Sequence, residues 1–187
     1  MSGLRRRTRA LGLAAGMTLL AAGAGSAQEL PTGVTVSSTA GVPGAQASTP
    51  IYLASAKDVR PGALTLTLSY PSGLLTFKKA ESDFAEVFGF TIGTTLKTRD
   101  DGKTTALDVD IRYKEPGVGK VIPDGPVVRV TFDISSTAEL NTEIPLHASV
   151  VIMTADDPPK ELTPVKAYDG KIEVTGENVF ACFFYMH

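Results

Sequence analysis

Two carboxylates, Asp108 and Asp110, stand two residues apart in LDVDIRY, the spacing that puts both on one face of a β-strand. Paired carboxylates can hydrolyse glycosidic bonds, but a separation of roughly 6 to 7 Å follows from strand geometry alone and is no mark of such a site. Other reactive groups are scattered. The histidines are His147 and the final His187, too few to supply the convergent nucleophile and base, or the metal cage, that catalysis requires. Cys182, the single cysteine, cannot form an intrachain disulfide and has no basic neighbour to activate its thiol. Asp100-Asp101-Gly102 and Asp156-Asp157 carry the oxygen ligands calcium prefers, yet neither follows an EF-hand pattern. The first reads as a hairpin turn in which glycine takes positive φ. These residues predict a protein that is not an enzyme, with no metal and no cofactor.

In each strand the alternation of side chains separates a face that feeds a core from a face left free for a partner. In ALTLTLSYPSGLLTF, residues 63–77, Leu64, Leu66, Leu68 and Tyr70 point to one side while Thr65, Thr67 and Ser69 point to the other. Leu107, Val109, Ile111 and Tyr113 alternate with Asp108, Asp110 and Arg112 in the same way. Leu146, Ala148, Val150 and Ile152 form the inward set of a third strand, leaving His147, Ser149, Val151 and Met153 outside. That outer set is unusually apolar for a face in water. A fourth strand is read with Val128, Val130, Phe132 and Ile134 inward and Val127, Arg129, Thr131 and Asp133 outward.

Turn signals such as Pro43-Gly44, Pro61-Gly62, Asp101-Gly102, Pro123-Asp124-Gly125 and Asp169-Gly170 punctuate short segments rich in Val, Ile, Thr and aromatic residues. This is the pattern of an all-β sandwich. Strands are read at 33–37, 50–54, 63–69, 75–80, 88–97, 104–113, 127–135, 144–154 and 171–175, with a short helical turn over 82–87 capped by Ser82. Residues 36–49 read as a loop, and no long amphipathic helix is evident.

The ends bound the compartment. Arg5, Arg6, Arg7 and Arg9, an apolar run over 10–24 and Gly25-Ser26-Ala27 have the three parts of a cleaved secretory signal, residues 1–27. The run is too short for a bilayer span, so no transmembrane anchor is expected after its removal. Its loss takes four arginines from a chain with 18 Lys+Arg and 20 Asp+Glu, leaving a net charge near −6. An acidic exported chain is a poor nucleic-acid partner. Residues 28–176 form the single domain expected, and 177–187, with the apolar VFACFFYM, a separate tail too short to span a bilayer.

Four segments in order, VTVSSTAGVPGAQASTPIYL, LTLTLSYPSGLLTF, IPDGPVVRVTFDI and YDGKIEV, resemble the cohesin domain over about residues 33–175. Cohesins are the modules by which bacterial scaffoldins and related surface proteins bind dockerins. The resemblance implies a nine-stranded, two-sheet jelly-roll β-sandwich and a protein partner of dockerin-like kind. It also implies a binding face on the third, fifth, sixth and eighth strands, which here carries Thr65, Thr67, Ser69, Asp108, Asp110, Arg112, His147, Ser149, Val151 and Met153. Where many dockerin-binding cohesins have Tyr-Asp-Pro, this chain has Tyr70-Pro71-Ser72, so acidic acceptors are offered by Asp108 and Asp110 on the neighbouring strand.

Two other classes stay open. The fold is shared with carbohydrate-binding modules, which makes a polysaccharide ligand the second reading. With no Trp, and with Tyr52, Tyr70, Tyr113 and Tyr168 read in core or turn roles, a planar aromatic strip is not expected. A structural or adhesive surface subunit is the third.

Overall fold

The computed structural model describes residues 31–114 and 119–176. The proposed signal, Cys182, His187 and the apolar tail lie outside the described residues. The chain order is β1 (Gly33–Val36), β2 (Thr39–Gly41), β3 (Gln46–Ala54), β4 (Pro61–Pro71), β5 (Leu75–Glu81), α1 (Ala85–Phe88), β6 (Phe90–Thr98), β7 (Thr104–Tyr113), β8 (Gly125–Ile134), β9 (Glu143–Thr154), β10 (Lys166–Tyr168) and β11 (Gly170–Val174). A five-stranded sheet runs β10-β1-β3-β8-β5, and a six-stranded sheet runs β2-β11-β9-β4-β7-β6.

All nine strands read from the sequence are present, and two more, β2 and β10, raise the number to eleven. Each is three residues long and lies outside the antiparallel pattern. β10 pairs parallel with β1 (Gly33 opposite Lys166), and β2 pairs parallel with β11 (Thr39 opposite Ile172). Such short pieces exist because distant partners satisfy their backbone groups, so part of the stretch read as a loop over 36–49 is strand. The helical turn begins later than read. Ser82 Oγ accepts from Phe84 N–H at 3.2 Å rather than capping α1, whose N-cap is Phe84.

The chain changes sheets at one corner twice, from β1 to β2 and from β10 to β11. Gly170 opens β11 against the β1 corner, where a Cβ would come 2.7 Å from Val36 O and 2.9 Å from Ser37 O. Only a residue without a side chain permits that approach.

The core lies between the sheets. Leu64, Leu66, Leu68 and Tyr70 of β4 and Leu107, Val109 and Ile111 of β7 are buried against Val34, Ile51, Val128, Val130 and Phe132. Burying a side chain of this size stabilises by about 1.5 to 3 kcal/mol, which is what holds the alternating register. Tyr70 packs edge-on against Phe132 with ring centroids 4.9 Å apart, and burial raises its phenol pKa. The outward set read for β8 needs correction at two positions, since Val127 and Thr131 are buried. A β-bulge opposite Ile51 and Tyr52 places an extra residue on β8 and turns both Val127 and Val128 away from water. Thr131 instead exchanges a 2.8 Å hydroxyl hydrogen bond with Ser48. Among the described residues the Thr49 hydroxyl, at 0% exposure, is the buried side-chain polar group without a hydrogen-bond partner.

Candidate binding face

The strands β9, β4, β7 and β6 are adjacent, and their register brings the outward residues predicted for β4, β7 and β9 onto one face. Met153, Ala63, Arg112 and Thr91 form one row across the sheet, followed by Val151, Thr65, Asp110 and Gly93. The next row is Ser149, Thr67, Asp108 and Thr95, and the last is His147, Ser69, Ala106 and Lys97. The period of two in each strand and an unshifted pairing of β4 with β7 keep the rows aligned.

Hydrogen bonds tie the polar centre of this face together. Thr67 Oγ1 donates to Asp108 Oδ1 at 2.6 Å, and Lys97 Nζ to Asp108 Oδ2 at 2.6 Å. The Lys97 bond, and then the Thr67 hydroxyl, hold the Asp108 carboxyl below its ordinary pKa, and Asp108 in turn raises that of Lys97. Thr65 Oγ1 donates to Asp110 Oδ1 at 2.7 Å, and Arg112 Nη2 lies 3.1 Å from the same oxygen. Asp108 thus has both oxygens engaged, whereas these contacts to Asp110 fall on Oδ1 alone.

At the opposite end, His147 Nδ1 lies 2.8 Å from Asp169 Oδ2, while Asp169 Oδ1 accepts from Ala148 N–H at 2.8 Å. The Ala148 amide first, then His147, lower the Asp169 pKa. Asp169 therefore pins the β10-to-β11 corner to β9. Ser69 is less available than expected, because Arg99 Nη2 donates to its Oγ at 2.9 Å and leaves it nearly covered. Val151 remains 44% exposed at the middle of the face.

Sequence reasoning missed several residues of this surface. Thr91, Thr95 and Lys97 belong to it, and the alternation of β6 carried that signal. Arg99 and Asp169 arrive from turns, where no period points to them. A cleft of about 760 Å³ also opens at the Met153 end, lined by Ala63, Arg112, Tyr113, Lys120, Met153 and Asp156 among others. A bulge between Pro61 and Ala63 bends β4 there, and the Tyr113 hydroxyl donates to Val121 O at 2.7 Å, fixing the far wall. The hairpin reading of Asp100-Asp101-Gly102 holds: Gly102 has φ +63°, and Asp101 accepts from the Lys103 and Thr104 amides and the Thr104 hydroxyl. Those bonds lower the Asp101 pKa, with the Thr104 hydroxyl contributing most.

The tyrosines divide. Tyr70 is in the core as expected, but Tyr52 and Tyr168 are 43% and 47% exposed on the outer face of the five-stranded sheet. They lie in one row, each opposite Thr35 on β1, rather than in core roles. No helix among the described residues is long and apolar enough to cross a membrane.

No family model and no curated relative matches the chain. Solved structures do. The sixth cohesin of scaffoldin B from Acetivibrio cellulolyticus, in complex with a Cel5 dockerin mutant, superposes with a TM-score of 0.61 at 15% identity, covering 78% of this chain and 99% of that one. A non-cellulosomal cohesin from the hyperthermophilic archaeon Archaeoglobus fulgidus gives 0.57 at 17% identity, covering 80% and 94%. The OlpA cohesin of Clostridium thermocellum, in a type I cohesin–dockerin complex with Doc918, gives 0.56 at 20% identity, covering 78% and 99%. The two-sheet architecture, reached from alternation and turns and matched along nearly the whole of each of these domains, is the cohesin fold.

Proposed function

We propose that this chain is an exported, non-catalytic binding module that captures a protein partner through the β9-β4-β7-β6 face. The observation that carries the reading is the convergence on one sheet of a polar centre already organised by hydrogen bonds, an exposed apolar residue at Val151 and a cleft at Met153. Organised polar groups lose little entropy on binding, and a partly apolar surface gains from desolvation. Asp110 is the carboxylate with an oxygen to offer, and the cleft beside it carries both signs of charge, with Lys114 and Lys120 facing Asp156 and Asp157. Dockerin-bound cohesins with the same fold support a dockerin-like partner, with a role in surface assembly or polysaccharide breakdown. Export rests on the leader-like segment 1–27.

The test is surface plasmon resonance of the mature chain against dockerin modules and against fractionated secreted proteins of the host. Val151→Asp and Asp110→Ala should each weaken a captured partner roughly tenfold or more, with the thermal midpoint unchanged in Val151→Asp and both variants folded. Full affinity in both variants would remove this face from the reading.

One observation favours a second reading. Tyr52 and Tyr168 flank Thr35 in one row, about 10 Å apart at two strand spacings, a separation that suits stacking on two sugar rings of an extended glycan. That site would lie on the opposite sheet from the protein-binding face.

A further inference from the structure

The two sheets have four edges, and three are protected in recognisable ways. β2 and β10 are only three residues long, and β5 carries Lys78, Lys79 and Glu81 with a bulge between Phe77 and Lys79. Short length, charge and bulges are the devices that stop sheets from adding strands. β6 is neither short nor bulged. It runs nine residues, FTIGTTLKT, pairs with β7 without a register shift, contains no proline and is almost wholly exposed. Its one charge, Lys97, is drawn back over the sheet onto Asp108 rather than held at the edge.

The orientation of the free backbone groups follows from the β7 pairing. Arg99 N–H donates to Thr104 O at 2.9 Å, and Lys114 N–H donates to Gly89 O at 3.3 Å. Hydrogen-bonded pairs alternate with non-bonded ones in an antiparallel ladder, so odd-numbered residues of β6 face β7. The N–H and C=O groups of Phe90, Ile92, Thr94, Leu96 and Thr98 therefore point out of the edge.

We propose that this edge pairs antiparallel with β6 of a second copy of this chain, across a twofold axis at Thr94. The sequence of the strand is self-complementary in that register. Thr94 faces its own counterpart, and Ile92 faces Leu96 of the other copy on both sides of the axis. Leu96, 52% exposed in the single chain, acquires an apolar neighbour. Lys97 falls opposite Thr91, so no like charges meet. Shifting the axis by one residue, to Thr95, replaces both apolar pairs with Thr98 opposite Ile92 and Leu96 opposite Thr94. The axis at Thr94 also matches the outward even-numbered groups, which bond pair by pair as a C2 interface requires. The six-stranded sheets then become one continuous sheet through both copies, with their outer faces side by side.

The experiment is sedimentation velocity of the signal-free chain over a wide concentration range, beside Thr94→Pro and Leu96→Lys. Thr94 N–H points away from β7, so proline there removes an edge donor without breaking the intrachain ladder. A concentration-dependent dimer is expected, with its Kd raised roughly tenfold or more in both variants and unfolding midpoints little changed. Thr94→Cys in a Cys182→Ser background should also oxidise to a covalent dimer, since directly opposed residues have Cα atoms within disulfide reach. A chain that stays monomeric to its solubility limit overturns the proposal. So does a dimer that survives Thr94→Pro, or one that is lost only when residues 177–187 are deleted.

Discussion

The Thr67 hydroxyl and the Asp108 carboxylate, side by side on β4 and β7, are joined at 2.6 Å, with Lys97 of β6 closing the other carboxylate oxygen. Three adjacent strands are thus linked through one side chain that is only 17% exposed. The centre of the candidate face is held in shape before any partner arrives.

That linkage makes stability depend on acid. The folded Asp108 pKa is depressed, so the contribution is complete above the unfolded value, about 4, and disappears as pH falls through the lower folded value. Asp169 and Asp101 are shifted in the same direction and add to the same window. Denaturant titrations from pH 7 down to pH 2 should show falling stability below about pH 4. Asp108→Asn should lower stability by about 1 kcal/mol at pH 7 and flatten the acid limb. An unchanged limb would show that the carboxylate is not coupled to folding.

Thr49 offers a stabilising substitution. Its hydroxyl is buried in β3 without a partner, while valine has the same shape and no desolvated polar atom. Thr49→Val should raise unfolding stability by about 1 kcal/mol, read as an increased denaturant midpoint at constant slope. A decrease would mean that the hydroxyl is satisfied.

At the sheet-switching corner the direction reverses. Gly170→Ala would press a methyl group against Val36 O and Ser37 O, and the corner must open to admit it. A loss of about 2 kcal/mol is expected from calorimetric unfolding, against little effect for Gly73→Ala, where a Cβ has nothing within 4 Å. Equal tolerance at both positions would refute the role given to this contact.

The glycan reading separates from the protein reading by position. If Tyr52 and Tyr168 form a stacking platform, retention on insoluble polysaccharide or on a glycan array should fall severalfold in Tyr52→Ala and Tyr168→Ala, and not in Val151→Asp. Absence of retention on every glycan removes it.

Both sheets' long strands were legible because alternation is a local property. Leu64, Leu66 and Leu68 predict their own burial, and Thr65, Thr67, Asp108, Asp110 and Val151 each predict an outward position on their own strand, while their sharing of one face came from the resemblance to cohesins. β2 and β10 were not, since each is strand only by virtue of a parallel partner more than 130 residues away. Val127 was misplaced for a related reason: a bulge changes the face without changing the residues. Arg99 and Asp169 reach the site from turns, and the cleft depends on how three strand ends splay. Tertiary pairing, rather than composition, determines all of these.

The parallel corner also sets an order of events. β2 has β11 as its partner in the sheet, and one side of β1 is closed only by β10. Loop closure over such a span is entropically costly and slow, so the first strands of the domain cannot be completed until its last strands, β10 and β11, have been made. A nascent chain therefore keeps β1 and β2 without these partners until β10 and β11 emerge. Residues 166–174 act as the latch, β10 closing β1 and β11 closing β2.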